Sequence, residues 1–586
     1  MELTRIFDLI PYQIANFDKE IASAKKVNGS WITFSSKQVK EIVDKLSLAF
    51  LEYGVLPGDK VALISNNCPE WNFVDFALQQ VRAISVPMYP TITSSDYEYI
   101  FDHAEVKLIF VGDQEIYDKA KIASGTRAII SFDDIAGAIP FHEFLEKGAS
   151  KDHQVLEDSM ASVKAEDLFT IIYTSGTTGR PKGVMLTHNN ILSNIIQVGK
   201  IFTPEKGISR VLSFLPLCHI YERSASFGNM FLGYSIYYAE SMDTIGENLK
   251  EVKPHMFNTV PRLLEKIYDK IVGKGYELTG VKRNLFFWAL NLGLRYDPGK
   301  AMGPWYDFQL KLANKIIFSK WREALGGEVL QINSGASALQ PRLSRVFWAA
   351  GIKVCEGYGL TETSPVVSAS ICNFEEIRIG WVGKLIDDVE VKIASDGEIL
   401  VKGPNVMLGY YKEPEQTAEA LKDGWFHTGD IGELDGIYLR ITDRKKEMFK
   451  TSGGKYVAPQ VMENKFKEST LIDQLVVVGE NKNYPAALIV PNFDALREYC
   501  KHKGIPYTSN TEMISKLEII EKYDREIETA NSFFAKWEQV KRYKLLENSW
   551  NIATGELTPT MKLKRKVIHK KYESEIVAMY ESKKVR

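Results

Sequence analysis

Short apolar runs alternate with segments of helical period through the first two thirds of this chain. Residues 60–65 ("KVALIS"), 106–112 ("VKLIFVG") and 210–217 ("RVLSFLPL") are typical of buried strands. Residues 35–54 ("SSKQVKEIVDKLSLAFLEYG") instead repeat their apolar positions with the period of a helix. This alternation predicts layers of helices and strands, an α/β fold, continuing to about Ala394.

The pattern changes beyond that point. Residues 389–410 and 436–444 favour strands joined by Asp-Gly and Gly-Pro turns, which predicts a β-rich section. After a basic stretch, residues 474–491 ("QLVVVGENKNYPAALIVP") lie between helical segments. We therefore predict a large N-terminal domain, residues 1–443, of layered α/β subdomains plus the β-rich section. A small α+β C-terminal domain, residues 444–586, would follow it.

Length and composition are consistent with this division. A chain of 586 residues exceeds what one hydrophobic core normally supports. With 45% hydrophobic residues, 25% charged residues and a net charge of -2, the composition is that of an ordinary globular protein. The overall charge gives no indication of nucleic-acid binding.

Cysteine usage and the apolar segments bear on the compartment. The five cysteines are scattered without a CxxC pair, which argues against a disulfide framework or a zinc site and favours a reducing compartment. The N-terminal residues lack the features of a secretory signal. Residues 224–239 ("SASFGNMFLGYSIYYA") are shorter than the roughly 20 residues of a membrane span, so we expect them in the interior. The predicted location is cytoplasmic, with peripheral membrane contact left open.

A loop rich in glycine and hydroxyl groups, residues 173–183 ("YTSGTTGRPKG"), follows the apolar run "LFTII". Glycine dihedrals and hydroxyl donors suit a loop that wraps around phosphate oxygens, although a flexible surface turn has the same composition. The P-loop pattern G-x-x-x-x-G-K-[ST] fails here. Arg180 and Pro181 separate Gly179 from Lys182, and Gly183 stands where the magnesium-binding hydroxyl would be.

Two further motifs suggest a nucleotide site. Residues 356–364 ("EGYGLTETS") follow the apolar "GIKV", so an aromatic ring that could stack on a purine and a carboxylate that could hold Mg²⁺ stand at a strand end. Residues 425–430 ("WFHTGD") supply an aspartate that could accept hydrogen bonds from both ribose hydroxyls. Each motif alone is also compatible with an ordinary turn carrying an incidental acid.

Together, "YTSGTTGRPKG", "YGLTETS", "WFHTGD" and "DRKKEMFKTSGGK" occur in the order and approximate spacing of the adenylate-forming superfamily, which this chain resembles over nearly its whole length. "LPLCHIYER", "NTVPRLLEKIY", "INSGASAL" and "ELTPTMKLKRK" resemble its long-chain fatty acid–CoA ligase branch. The resemblance implies ATP-dependent activation of a long-chain fatty acid to acyl-AMP with pyrophosphate release, then transfer to coenzyme A. It also implies ATP, Mg²⁺ and coenzyme A as cofactor and co-substrates.

The resemblance assigns nucleotide-binding roles by position. Thr174 to Lys182 would embrace the β- and γ-phosphates, Asp430 and Arg444 would contact the ribose, and Thr361 would lie near the α-phosphate. Thr174 and Glu362 would help to hold Mg²⁺. The implied ATP-binding residues are Thr174, Ser175, Gly176, Thr177, Thr178, Gly179, Lys182, Gly335, Ala336, Glu356, Gly357, Tyr358, Thr361, Asp430, Arg444, Lys446 and Lys450, of which Gly335, Ala336, Glu356, Gly357 and Tyr358 would form the adenine slot.

Three residues are implied to be catalytic: Lys562, His219 and Glu362. In the family a C-terminal lysine bridges the carboxylate and the α-phosphate, and "LTPTMK" assigns that role to Lys562. The neighbouring Lys564, Arg565 and Lys566 leave the assignment open by a residue or two. His219 corresponds to a residue beside the carboxylate and phosphate.

The family's small C-terminal domain is mobile and swings about a hinge between the two half-reactions. The resemblance places the hinge at Lys446 in "DRKK", where composition also predicts the boundary. The swing would replace Lys562 by the "TSGGK" segment, in which Gly453 and Gly454 would allow the pantetheine arm of coenzyme A to approach the backbone.

Several alternatives stay open. The acceptor could be a carrier protein rather than coenzyme A, the acid could be medium-chain or aryl, and a non-enzymatic nucleotide- or fatty-acid-binding protein could use the same scaffold. Residues 224–239 could line an acyl tunnel or simply pack in the core. Some long-chain members carry an aromatic gate one turn beyond the histidine, and Arg223 stands at that spacing. The sequence makes no prediction of oligomeric state.

Overall fold

The computed structural model describes residues 2–149, 151–174, 180–558 and 561–581 of the chain. The strands are β1 Ser23–Val27, β2 Ser30–Phe34, β3 Lys60–Ile64, β4 Ile84–Pro87, β5 Val106–Val111, β6 Ala128–Ser131, β7 Ile139–Pro140, β8 Leu168–Thr174, β9 Lys182–Thr187, β10 Arg210–Ser213, β11 Ser235–Tyr238, β12 Met256–Thr259, β13 Gln331–Ser334, β14 Val354–Gly359, β15 Val366–Ala369, β16 Lys384–Leu385, β17 Glu390–Ile393, β18 Glu398–Lys402, β19 Gly409–Tyr410, β20 Leu421–Lys422, β21 Trp425–Asp435, β22 Tyr438–Arg444, β23 Phe449–Lys450, β24 Tyr456–Val457, β25 Ile472–Val478, β26 Ala486–Pro491 and β27 Arg542–Leu545.

Helices lie between most of these strands as far as β14. They are α1 Leu9–Phe17, α2 Ser36–Tyr53, α3 Pro69–Gln80, α4 Ser94–His103, α5 Gln114–Ala123, α6 Phe141–Glu146, α7 His153–Ser162, α8 His188–Val198, α9 Ile220–Phe231, α10 Ile245–Val252, α11 Pro261–Glu277, α12 Gly280–Arg295, α13 Pro304–Ala313, α14 Ser319–Ala324, α15 Pro341–Ala349, α16 Pro414–Ala420, α17 Pro459–Phe466, α18 Phe493–Lys503, α19 Asn510–Ser515, α20 Leu517–Asn531, α21 Arg565–Lys571 and α22 Glu573–Glu581. Short 3₁₀ helices cover Ile6–Asp8 and Thr361–Thr363, and Asn314–Phe318 is a π-helical segment. Within the described ranges, no helix is long and apolar enough to cross a membrane.

Local sequence explains why the predicted helix α2 forms. Ser35 caps its N-terminus by accepting the Gln38 N–H, and the Gln38 side chain accepts from the Ser35 N–H in return. The helix ends at Gly54, which takes the left-handed conformation with φ of 87°. Its apolar face, which includes Leu46 and Phe50, is buried in the core.

Two large sheets form the bulk of the molecule. The larger runs in the order β17-β18-β21-β22-β16-β15-β14-β13-β12-β10-β11-β1-β2, with β20 paired to β21. The second runs β19-β9-β8-β4-β3-β5-β6-β7. Strands β14, β13, β12, β10, β11 and β1 are parallel, so their carboxyl ends meet at one edge. These sheets and their helices confirm the predicted α/β fold class, and the predicted β-rich section extends the larger sheet instead of standing apart.

A separate hydrophobic core lies in the C-terminal part of the chain. It is built from residues 449–579, around the three-stranded sheet β25-β26-β27. The domain boundary near Lys446 stays a prediction. Arg262 of α11 contacts this part of the chain, with Nη2 2.6 Å from Asp473 Oδ1, and Arg342 donates to the Lys467 carbonyl over 3.1 Å.

The expectation that the cysteines form no disulfide is wrong for one pair. Cys355 on β14 and Cys372 are bonded, with their Cα atoms 6.0 Å apart. Strands β14 and β15 are antiparallel neighbours, so the chain beyond β15 returns alongside the start of β14 and brings the two cysteines together. Sequence spacing alone gave no sign of this pairing. Cys68, Cys218 and Cys500 are free thiols.

Candidate active site

The glycine-rich loop connects two paired strands. Thr174 ends β8 and lies opposite Lys182 at the start of β9. The predicted phosphate-binding residues Ser175, Gly176, Thr177, Thr178 and Gly179 lie outside the described residues. The Lys182 ammonium lies 5.0 Å from the centre of the Tyr410 ring, and the Tyr410 hydroxyl donates to Glu362 Oε1 over 2.9 Å. Lys182 and Glu362 are therefore brought to one tyrosine from distant parts of the sequence.

Glu362 follows β14 in the 3₁₀ helix Thr361–Thr363. Its backbone carbonyl accepts the Met407 N–H over 2.9 Å, which fixes the turn. In the described part of the chain, no three His, Cys, Asp or Glu side chains are grouped as a metal site. Magnesium is commonly held by one or two carboxylates and substrate phosphates, so the oxygen donors Thr174 and Glu362 fit that ion as a partial ligand set.

Tyr358, Asp430 and Arg444 form a connected group. Strands β21 and β22 pair Asp430 with Arg444, and Arg444 Nε lies 3.0 Å from Asp430 Oδ1. The Tyr358 hydroxyl donates to Asp430 Oδ2 over 2.7 Å. Burial and the Asp430 charge raise the pKa of Tyr358 well above its usual range, so this hydroxyl is protonated. Tyr358, predicted to contact adenine, is thus hydrogen-bonded directly to Asp430, predicted to contact the ribose.

The turn after β13 carries Gly335 and Ala336. Gly335 donates to the Thr259 carbonyl over 3.2 Å, and a Cβ atom at this position would lie 3.2 Å from the Tyr221 ring. Ala336 has a positive φ of 69°, which is uncommon outside glycine. The turn therefore follows β13 in a tight conformation next to Tyr221, close to Glu356, which pairs with Ser334 in the neighbouring strand.

Lys562 lies in a tight turn. Its carbonyl accepts the Thr558 N–H over 2.8 Å, and its own N–H donates to Thr558 Oγ1 over 3.0 Å. Burial and the charge of Arg444 lower the pKa of Lys562 to about 8, whereas Asp430, Glu362 and Glu447 act in the opposite direction. Lys562 is therefore near several predicted nucleotide-binding residues.

The basic neighbours of Lys562 have different surroundings. Arg565 binds both oxygens of Glu463 at 2.7 Å and Glu447 at 3.0 Å. Lys564 is exposed. Arg565 thus anchors the segment that carries Lys562, and its guanidinium is already engaged by two carboxylates.

His219 caps helix α9. Its Nδ1 accepts the Tyr221 N–H over 3.2 Å, so the neutral ring carries its proton on Nε2. Burial and the charge of Lys562 lower the pKa of His219 to about 3, which keeps the ring neutral. His219 can therefore donate a hydrogen bond from Nε2, but it is a poor base.

A predominantly apolar pocket lies beside this group, and we call it the apolar cavity. Ser224, Ala225 and Gly228 of the predicted apolar run line it, whereas Phe227 and Met230 of the same run are buried in the core. Glu356 also lines the cavity, and burial raises the pKa of its carboxyl to about 8. The other lining residues are Asn194, Ile195, Val198, Ile201, Phe202, Tyr221, Asn258, Gln331, Asn333, Cys355, Gly357, Pro365, Val366, Ala369 and Ser370.

Arg223 does not line this cavity. It is fully buried and paired with Asp75, with Nε 3.0 Å from Oδ2 and a second bond between Nη2 and Oδ1. Nη1 also donates to Thr170 Oγ1 over 2.7 Å. Arg223 therefore stands at the position of an acyl gate but joins α9 to α3 and β8.

The remaining predicted residues lie on the surface. Lys446 is exposed in the turn after β22, and Lys450 lies 4.7 Å from the Tyr456 ring centre. Gly453 and Gly454 are exposed in the turn between β23 and β24, where Gly454 has a φ of 74° and donates to the Thr451 carbonyl. In this arrangement Lys562 lies close to the predicted nucleotide-binding residues, and these glycines are on the surface.

Sequence reasoning missed two residues of the site. Tyr410 links Lys182 and Glu362, and Tyr221 covers Gly335 and donates its hydroxyl to the Asn333 carbonyl over 3.0 Å. Tyr410 lies in "LGYYK", where adjacent glycine and tyrosines were the available signal. Tyr221 lies two residues after His219 and could have been found only from the fold.

Comparison with known families gives matches over most of the chain. The model of the AMP-binding enzyme family matches residues 13–411, and the model of the AMP-binding enzyme C-terminal domain matches residues 447–584. The long-chain-fatty-acid–CoA ligase FadD15 of Mycobacterium bovis is 33% identical over 570 residues, covering 94% of this chain and 93% of that protein. The peroxisomal long chain acyl-CoA synthetase 7 of Arabidopsis thaliana is 32% identical over 594 residues, covering 94% and 82%.

Solved structures share the fold. The A domain of a carboxylic acid reductase from Segniliparus rugosus, in complex with AMP and a co-purified carboxylic acid, has a TM-score of 0.73 at 20% identity, covering 98% of this chain and 94% of that one. A Mycobacterium tuberculosis fatty acyl CoA synthetase has a TM-score of 0.61 at 18% identity, covering 98% and 99%.

Proposed function

This chain belongs to the AMP-binding enzyme family, and we propose that it activates a long-chain fatty acid with ATP and transfers the acyl group to coenzyme A. The family resemblance read from the four motifs is confirmed by these matches. The observation that carries the proposal within the structure is the linked group of Tyr358, Asp430 and Arg444. Lys562 lies close enough for the charges of Arg444 and Asp430 to shift its pKa, and its own charge lowers the pKa of His219. The cytoplasmic location stays a prediction.

The first half-reaction joins two negatively charged groups. A fatty-acid carboxylate oxygen attacks the α-phosphorus of ATP, forming a P–O bond while the bond to pyrophosphate breaks. Two unit charges about 4 Å apart repel by about 4 kcal/mol at an effective dielectric of about 20. Lys562 would bridge the carboxylate and α-phosphate, and the neutral His219 would donate to the same region, so the approach is stabilised electrostatically.

The linked residues Tyr358, Asp430 and Arg444 would orient the nucleotide. Asp430 would accept the ribose hydroxyls, Arg444 would approach the same sugar, and Tyr358 would stack on the adenine while holding Asp430 in place. Lys182 would contact the leaving phosphates. Thr174 and Glu362 would hold Mg²⁺, which when bound neutralises phosphate charge. The apolar cavity beside Glu356 and Gly357 is the place for the acyl chain, and each CH₂ buried there would contribute about 0.8 kcal/mol.

The second half-reaction requires a different C-terminal arrangement. The thiol of coenzyme A attacks the acyl carbonyl, loses its proton and displaces AMP. Rotation about Lys446 would withdraw Lys562 and bring the turn of Gly453 and Gly454 to the site. That rotation would break the contact of Arg262 with Asp473, because these residues lie on opposite sides of the expected hinge.

The test is a comparison of acids from acetate to C18 for pyrophosphate release and thioester formation with coenzyme A. Palmitate-dependent activity of both kinds, falling steeply toward acetate, is expected. Pyrophosphate release without a coenzyme A thioester, but with transfer to a phosphopantetheinyl carrier protein, would favour the carrier alternative. Nucleotide binding with no pyrophosphate release from any acid would favour the non-enzymatic alternative.

A further inference from the structure

An exposed apolar stripe runs along the antiparallel pair of helices α12 and α13. Trp288 Nε1 donates to Gln309 Oε1 over 3.2 Å, and the Tyr306 hydroxyl donates to the Leu292 carbonyl over 2.6 Å, which fixes the antiparallel register. The outward residues repeat at helical spacing, and three of them are among the most exposed large apolar side chains of the described chain: Val281 at 73%, Trp305 at 72% and Phe308 at 59%. The stripe consists of Val281, Leu285, Trp305, Phe308 and Leu312, together with Tyr276 at the end of α11, and we call it the α12–α13 surface.

Positive charge is concentrated around this surface. Residues 270–322 contain ten Lys and Arg and three Asp and Glu, a net charge of +7, although the whole chain has a net charge of -2. Exposed lysines flank the stripe on the helices and on the segment that follows: Lys270, Lys274, Lys282, Lys311, Lys315 and Lys320. The remainder of the chain therefore carries a net charge of -9, although residues 561–586 are also basic, with nine Lys and Arg and three Asp and Glu.

We propose that the α12–α13 surface docks onto an anionic lipid bilayer. Exposed Trp and Tyr are suited to the boundary between headgroups and acyl chains, where lysines can extend their ammonium groups to the phosphates. A helix with an apolar face and a basic rim lies in this boundary without spanning the membrane. A protein partner fits less well, because lysine is depleted from protein interfaces.

The packing supports a preformed docking surface. Phe286, next to Leu285, is buried and lies against Gly275 of α11, where a Cβ atom would come within 2.1 Å of the Phe286 ring. Trp305 and Phe308 stack on each other with ring centres 5.8 Å apart. The inward faces of the helices are thus closely packed, and the two exposed aromatic rings outside contact each other.

The test is flotation of the full chain with vesicles of phosphatidylcholine alone or containing about 30% phosphatidylglycerol. Binding is expected only to the anionic vesicles, and it should fall when the salt is raised from about 0.1 M to about 0.5 M. Trp305→Ser with Phe308→Ser should lower the partition coefficient about tenfold or more. Lys311→Glu with Lys315→Glu should lower it by at least about 25-fold, because each lysine near such a surface contributes about fivefold.

Matched controls come from the C-terminal domain. Phe533→Ser with Trp537→Ser removes another exposed aromatic pair, and Lys501→Glu with Lys503→Glu reverses another exposed lysine pair; both should bind vesicles as the wild type does. Thermal unfolding checks that all variants fold. Equal losses in the controls, or unchanged binding of the α12–α13 variants, would overturn the proposal. So would conversion of a dimer to a monomer by Trp305→Ser with Phe308→Ser at unchanged vesicle binding, which would identify the surface as a subunit interface.

Discussion

The Tyr358 hydroxyl donates a hydrogen bond of 2.7 Å to Asp430, joining the residue expected beside adenine to the one expected on the ribose. Tyr358→Phe keeps the ring and removes only this bond. Hydrogen bonds to charged groups contribute about 1.5–3 kcal/mol, so we expect the KM for ATP to rise roughly tenfold or more with a smaller change in kcat. Tyr306→Phe removes a hydroxyl that binds the Leu292 carbonyl far from the site, and should leave both constants unchanged.

The pKa of Lys562 predicts the pH dependence of adenylate formation. Because this pKa is lowered to about 8, the ammonium is charged below that pH and becomes neutral as the pH rises above it. We expect kcat/KM for ATP to decline above about pH 8, by roughly tenfold per pH unit. Lys562→Arg should remove the decline, since arginine stays charged there.

Two further variants separate this role from a general effect of charge. Lys562→Ala should lose adenylate formation at every pH while still converting supplied acyl-adenylate to the thioester. Lys564→Ala, at an exposed position two residues away, should keep both the rate and the pH profile. Equal loss of both half-reactions in Lys562→Ala would contradict the two-conformation mechanism.

The buried pair of Arg223 and Asp75 predicts a stability effect at a position where a gate was considered. Arg223→Met leaves the Asp75 carboxylate buried without its partner, and breaking such a pair costs about 3–5 kcal/mol of unfolding free energy. Arg223→Met with Asp75→Leu should recover much of this loss. Denaturant unfolding measures both, and Lys37→Met, which breaks the exposed pair with Asp18, should cost under about 1 kcal/mol. A change in chain-length preference without loss of stability would show that Arg223 acts as a gate.

Sequence predicted the parts of the site that lie in continuous motifs. The resemblance of these motifs to those of the adenylate-forming superfamily assigned Thr174, Tyr358 and Asp430 to the site, since each residue lies within one short stretch of sequence. Contacts between distant segments could not be predicted in the same way. Tyr410 reaches Glu362 from a strand 48 residues later, a partnership that depends on the pairing of β19 with β9.

The fold class was predictable because hydrophobic period distinguishes helix from strand over long segments. Which strands and which cysteines pair could not be predicted. The bond between Cys355 and Cys372 depends on the antiparallel return of β15 along β14. The ion pair of Arg223 could not be predicted either, since its partner Asp75 is 148 residues away in the sequence. Such contacts depend on three-dimensional packing between distant segments, and the pattern of a single sequence does not reveal which residues will meet.

The ion pair between Arg262 and Asp473, which joins the N-terminal and C-terminal parts of the chain, predicts an effect on only one half-reaction. Asp473→Ala removes the partner of Arg262 at a half-buried position, and should slow adenylate formation by roughly threefold to tenfold. Thioester formation from supplied acyl-adenylate should be unchanged or faster, since the contact must break for that step. Exchanging the charges, Arg262→Asp with Asp473→Arg, should restore part of the loss. Asp494→Ala, which removes a surface pair with Arg497, serves as the control and should change neither half-reaction.

Gly228 offers a direct test of where the acyl chain binds. It lines the apolar cavity from helix α9, and a Cβ atom there would meet no atom within 4 Å, so a larger side chain has room to start toward the cavity. Gly228→Leu should therefore shorten the accepted chain, lowering kcat/KM for palmitate by about tenfold or more while octanoate is largely unaffected, since each excluded CH₂ forfeits about 0.8 kcal/mol. Gly246→Leu places the same side chain on α10 at another open position, and should leave the chain-length profile unchanged. If Gly228→Leu lowers kcat/KM equally for every acid, the cavity does not hold the distal part of the acyl chain.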